Sequence, residues 1–318
     1  MINKERYYSE IVSDLGISSP VVKGQSVPVR NCWHFYTSGD SVEVMFRNDE
    51  DFRNGMNRIY TVSCAYDILI LAFVLMDTHI HFILYGEFEA CNRFIHEYVR
   101  RTSMYVSSNY NERNSLRGVE ISHQVIDDDR YLKTAICYVV KNPLAAGLPY
   151  NPWDYPWSSG TLYFRYSDSW TSPGWMLGTE RRVAKYRDLR ELTKSRAKLG
   201  MDVRAINGLI LPSLYVAVST VEMIFRSHRS YNYFLSTSRD TDVESRGGAI
   251  SHLSIPLSEM RDNRRILLQE MFGVSELRGL SMEQRISLAR RMRSRYNCSP
   301  KQIAKLCGLI YGEVKDIF

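Results

Sequence analysis

A chain of 318 residues suits one large domain or two to three modest ones, and 44% hydrophobic with 24% charged residues is ordinary globular composition. The net charge of +6 favours a polyanionic partner. Six cysteines (Cys32, Cys64, Cys91, Cys137, Cys298 and Cys307) are scattered with no CxxC pair, which excludes a disulfide framework and a cysteine-built zinc site.

The N-terminal "MINKERYYSEIVSDLG" has no apolar signal-peptide core, and "ILILAFVLM" (68–76) is far too short to cross a bilayer. The expectation is a cytoplasmic protein with no membrane partner. In chain order, "CWHFYT" (32–37) is aromatic-rich and predicts a strand. "DEDFRNGMNRIYTVSCAYD" (49–67) carries Phe52, Met56, Ile59, Tyr60 and Cys64 at helical spacing. "ILILAFVLMD" and "HIHFILYG" are two β-rich runs meeting at Asp77-Thr78, either a tight hairpin or one bent strand. A second amphipathic helix spans about 88–110, and a short strand follows near "VEISHQVI". "DDDRYLKTAICYVVKN" predicts a helix with acidic residues in its first turn, ended by Pro143. The order β-α-β-β-α-β-α is that of an α+β protein with a ferredoxin-like, split-βαβ antiparallel sheet and its helices on one face.

A Pro/Gly/Trp-rich stretch, 142–166, leaves this first domain, assigned to residues 1–165. Residues 166–260 read as a mostly helical middle region, ending in the polar run "STSRDTDVESRGGAISH". Residues 261–318 form a basic C-terminal region of helix-turn-helix pattern. There Ser299-Pro300 starts a helix, Gly308 ends it, and Arg290, Arg291, Arg293, Arg295, Lys301 and Lys305 cluster around it. That region is either a solvated helical cap or a DNA contact.

The chemistry centres on "HIH". Residues two apart in a strand share a face, so His79 and His81 present their rings together while Ile80 and Phe82 pack on the other side. Two neutral imidazoles side by side suit one cation; the plain alternative is a pair of satisfied core histidines. Tyr138 and Asn142, four apart on one helix, also share a face. Asn142 offers a hard oxygen ligand for Mg²⁺ or Mn²⁺, and Tyr138 a phenolic oxygen that can act as a nucleophile beside a metal. Tyr131, two turns upstream, is the rival nucleophile.

"LAFVLMDTHIHFILYG", "YVVKNPLAAGL" and "YPWSS" resemble the REP-associated branch of the single-tyrosine HUH transposases, over residues 30 to 165 or so. The resemblance implies an HUH endonuclease fold, with His79, His81 and Asn142 as metal ligands. It implies Tyr138 as the nucleophile of single-stranded DNA nicking and joining, through a transient 5′-phosphotyrosine. It also implies a DNA substrate carrying a hairpin, and a homodimer. The family's Pro-Asn before the histidines is Asp77-Thr78 here, and its Gly-aromatic strand opening is missing.

Arg93, His96, Arg100, Arg101 and Arg113, interleaved with aromatics, suit a single strand; the alternative is an ordinary amphipathic helix whose arginines are solvated. With Arg290, Arg291, Arg293 and Lys301 they make up the expected DNA-binding set. Two other readings stand beside the transposase. One is a replication-initiator or relaxase-type nickase, ranked lower because "HIHF" offers two histidines and no P-loop is present. The other is a domesticated, non-catalytic DNA-binding or regulatory protein.

Overall fold

The computed structural model describes residues 10–11, 13–15, 21–22, 25–26, 29–37, 44–111, 116, 119–165, 178, 180–183, 185–195, 203–238, 243, 257–296 and 300–309. Two short strands, β1 (Val21–Val22) and β2 (Gln25–Ser26), pair with each other. The main sheet is built from β3 (Arg30–Thr37), β4 (Leu69–Leu75), β5 (Ile80–Glu87) and β6 (Ile121–Ile126). Its order is β4-β5-β3-β6 and every pairing is antiparallel. β3 and β4 therefore run the same way with β5 between them, and β5 and β6 do so around β3: two interlocked split βαβ units. The crossovers are α1 (Asp49–Ser63) and α2 (Phe88–Tyr110).

The runs on either side of Asp77-Thr78 form a hairpin, not one bent strand, closed by the Met76 N–H donating to the His79 carbonyl at 2.8 Å. An extra residue in β4 between Ile70 and Ala72 shifts the register. Beyond it, Phe73 faces Phe82 with ring centroids 6.0 Å apart.

Helices cover both faces of this sheet, which corrects the one-face expectation. Phe82 meets Phe94 and Tyr98 of α2 on one side. Its neighbour His81, pointing the opposite way, meets Tyr138 of α3 (Asp129–Ala145). The physical reason is composition. Leu132, Ala135, Ile136, Val139 and Val140 make one apolar face of α3, and Tyr131, Cys137 and Tyr138 are buried on its other sides, so it must be covered all round. It lies between the sheet and α6 (His228–Thr237), with Lys141 Nζ donating to the Ser238 carbonyl at 2.7 Å. Pro143 does not end α3; it sits in the last turn, and the helix runs on to Ala145 before Gly147 takes φ +78°.

The open edge of β4 is covered by residues 155–163. The Leu75 N–H donates to the Trp157 carbonyl and the Tyr155 hydroxyl to the Leu75 carbonyl, both at 2.9 Å, while the Phe73 N–H donates to Ser159 Oγ at 3.0 Å. The "YPWSS" motif is thus a protected sheet edge.

The middle region holds a three-stranded antiparallel sheet as well as helices: β7 (Arg181–Val183), β8 (Val203–Ile206) and β9 (Leu209–Ile210), with α4 (Tyr186–Thr193) and α5 (Val218–Phe225) beside α6. Strands of two to four residues carry too little alternation to read from sequence. Asn57 of α1 ties this region down, donating to the Leu192 and Gly208 carbonyls and accepting from the Ile210 N–H at 2.8 Å. One buried apolar cluster runs from the main sheet through to Val243.

A second cluster, from Met260 to Leu309, joins α7 (Leu257–Phe272), α8 (Met282–Tyr296) and α9 (Pro300–Cys307). Gly308, at φ +64°, closes α9. No described helix is long and apolar enough to cross a membrane.

Candidate active site

β3 and β5 are neighbours with Tyr36 opposite His81, so His34, one diagonal step along, shares that face. His34 Nε2 lies 3.0 Å from His81 Nδ1, with the two rings stacked at 5.2 Å. His79, at the end of the hairpin loop just before β5, holds Thr78 Oγ1 at 3.0 Å from Nδ1 and Asn142 Oδ1 at 2.9 Å from Nε2. The His79 and His81 rings are 5.1 Å apart and perpendicular. Tyr138 presents its ring edge-on to both His81, at 5.6 Å, and His34, at 5.9 Å.

The structure thus brings His79, His81, Asn142 and Tyr138 into one patch, where a hairpin end meets α3. All four, with His34 and Thr78, are between 2% and 8% exposed.

Burial sets the electrostatics. It pushes the His34 imidazole down to about 3. It also drives His81 well below the usual histidine value, with His79 and His34 adding to the effect. Both rings are therefore neutral near pH 7, so each has one nitrogen lone pair, and the bond between them engages one of the two. If His81 Nδ1 donates to His34, its Nε2 lone pair remains for a ligand. Likewise, a His79 Nδ1–H held by Thr78 leaves Nε2 beside the Asn142 oxygen as a donor atom. The Asp77 carboxyl next to the hairpin is raised by burial, against a lowering influence of His79.

Among the described residues no three His, Cys, Asp or Glu side chains are arranged to hold a metal. The candidate set has two such residues and an amide. His79 Nε2 and Asn142 Oδ1, 2.9 Å apart, match the spacing of adjacent ligands on an octahedral ion with bonds of about 2.1 Å. The donor types and this one spacing fit Mg²⁺ or Mn²⁺.

The sequence reading missed His34. It stands in the quoted "CWHFYT", and strand alternation puts it on one face with Tyr36, but only the β3-β5 pairing brings it to His81. His123 faces the other way, against Phe88 at 4.8 Å and Phe35 at 5.6 Å. Asp128 caps α3 by accepting the Tyr131 N–H at 2.7 Å, so it serves as a helix start. Tyr131 lies in that first turn, beside Gln124, Val125 and Asp127.

Arg93 is exposed on α2, and Arg100 and Arg101 share Glu97, at 2.7 and 2.6 Å. They stand on the α1-α2 side of the sheet, away from the histidines. Tyr105 and Tyr110 both donate their hydroxyls to Asp51, and a face of each ring is taken by an arginine, Arg58 at 5.0 Å and Arg47 at 4.1 Å. Arg290 and Arg291 are exposed on α8, flanked by the buried Leu288, Ala289 and Met292. Arg113 lies outside the described residues, as do the side chains of Arg293 and Lys301.

No protein-family model matches the chain, and no curated protein does. Among solved structures it is similar to the REP-associated tyrosine transposase bound to a REP hairpin, at 14% identity and a TM-score of 0.32, over 43% of this chain and 81% of that one. The functional reading rests on the geometry of the site itself.

Proposed function

We propose that this protein is a metal-dependent, single-tyrosine DNA nicking and joining enzyme of the transposase type, built on an HUH-type ferredoxin-like sheet. The observation that carries the reading is the convergence of His79, His81, Asn142 and Tyr138 across two elements far apart in sequence.

Mg²⁺ or Mn²⁺ held by His79, His81 and Asn142 would supply positive charge at the scissile phosphate and stabilise the crowded transition state. Tyr138 is the nucleophile. Its phenolic oxygen bonds to phosphorus as the bond to the 3′-oxygen breaks, the phenol proton leaves, and a proton ends on the freed 3′-hydroxyl. The phosphotyrosine keeps the ester, so an incoming 3′-hydroxyl reverses the step with no nucleotide cofactor. Thr78 and His34 orient the two imidazoles from behind. A hairpin-bearing single strand is the proposed substrate, a homodimer the proposed assembly, and α8 with its arginines a further DNA contact.

The test is incubation of the purified protein with single-stranded hairpin DNA and Mn²⁺, followed by a denaturing gel. A covalent protein-DNA band that disappears in Tyr138→Phe is expected. A band retained in that variant and lost in Tyr131→Phe would move the nucleophile. Burial of the whole patch favours a second reading, a non-catalytic DNA-binding protein, which binding without any covalent band would support.

A further inference from the structure

On the face of the sheet away from the histidines, a cleft of about 460 Å³ opens between α1, α2 and the end of α4. Four cations line it: Arg58, Arg100, Arg101 and Lys194, together with the hydroxyl-bearing Thr61 and Ser195. Arg58 is the unusual one. It is only 6% exposed, yet among the described residues no carboxylate lies within 4 Å of its guanidinium. Its Nη1 donates to Thr102 Oγ1 at 3.1 Å, and its guanidinium carbon sits 5.0 Å from the Tyr105 ring centroid.

The acid that could have served it is taken. Asp51 accepts from the Tyr105 and Tyr110 hydroxyls and from the Arg47 N–H. Asp51 therefore acts on Arg58 only at a distance; a buried cation with no carboxylate in contact is costly, and arginine does not escape the cost by losing its proton. Glu97 brings one negative charge, which Arg100 and Arg101 share. Arg58 and Lys194 are left facing the cleft.

We propose that this cleft is a second ligand site, one that takes a phosphoryl oxyanion, with the guanidinium of Arg58 at its base and Lys194 at its rim. A planar guanidinium fork suits two oxygens of one phosphate, and the Lys194 ammonium can donate to a third. The phosphate comes either from the backbone of a nucleic-acid strand passing behind the sheet or from a free anion. Only the strand arm rests on the DNA reading above.

The test is titration of the full chain with inorganic pyrophosphate by calorimetry, and with a fluorescent oligothymidylate at several salt concentrations. Arg58→Met removes the charge at similar volume, and Lys194→Glu changes an exposed helix end and keeps the fold. Saturable pyrophosphate binding, weakened at least tenfold by both variants, is expected. For the strand, the variants should also lower the salt slope by about 0.7 for each phosphate they no longer neutralise. Pyrophosphate binding with an unchanged oligonucleotide slope assigns the site to free anions. Pyrophosphate binding that is absent in wild type, or equal in wild type and Lys194→Glu, overturns the proposal. The Tyr138 adduct, read in parallel, reports on the catalytic reading separately: an adduct without pyrophosphate binding sinks only the cleft, and the reverse sinks only the nicking enzyme.

Discussion

His34 Nε2 and His81 Nδ1 lie 3.0 Å apart on adjacent strands, each ring buried and stacked on the other. Partners behind a metal-binding histidine fix its ring and typically contribute 10- to 100-fold in affinity. His34→Phe, which keeps the aromatic volume and drops the nitrogen, is therefore expected to weaken Mn²⁺ binding by about that factor, read by calorimetry. Unchanged affinity in a folded variant would reduce His34 to a packing residue.

Asn142 separates a metal role from a purely structural one. Asn142→Asp keeps an oxygen near His79 Nε2 and should retain Mn²⁺ binding, whereas Asn142→Leu should lose it by about 10-fold or more. Circular dichroism checks that both fold. Equal Mn²⁺ affinity in the two would remove Asn142 from the ligand set.

The buried histidines also make metal-free stability depend on pH. The His34 value falls from 6.5 in the unfolded chain to about 3 in the folded one, so below pH 6.5 the unfolded state binds more protons. Stability is fully present above pH 6.5 and is lost as pH falls toward about 3. The slope is at most about 1.4 kcal/mol per pH unit for each such ring. Urea midpoints measured in chelator between pH 7 and 4 should fall, and His34→Phe should flatten the curve. A midpoint that does not move would contradict the burial of both rings.

The covered edge of β4 depends on a close approach. A Cβ on Gly160 would lie 2.2 Å from the Pro152 carbonyl oxygen, a backbone atom that cannot swing away. Gly160→Ala should lower stability by about 1–3 kcal/mol in urea denaturation. Full stability would mean that residues 152–163 can shift off the edge at little cost.

The α1, α2 and β5 segments, the acidic start of α3 and the shared face of Tyr138 and Asn142 were all legible in the residues, because period and capping chemistry are local properties. So were the two histidines, since strand alternation is local too. Local pattern could not say that a third helix covers the second face of the sheet. That depends on what α3, with buried residues on every side, finds to pack against. It could not find the short β7-β8-β9 strands, whose two to four residues are held by partners rather than by propensity.

Nor could it find His34 or Arg58. His34 joins the site because β3 pairs with β5 in one register, and a one-residue slip would send it to the opposite face. Arg58 is charged and buried, with no carboxylate within 4 Å among the described residues, because α1, α2 and the end of α4 close around it while two tyrosines bond to Asp51. Which residue types could do chemistry is written along the chain; which of them meet depends on pairing and packing between distant segments, such as those of Asn57 and Ile210, 153 positions apart.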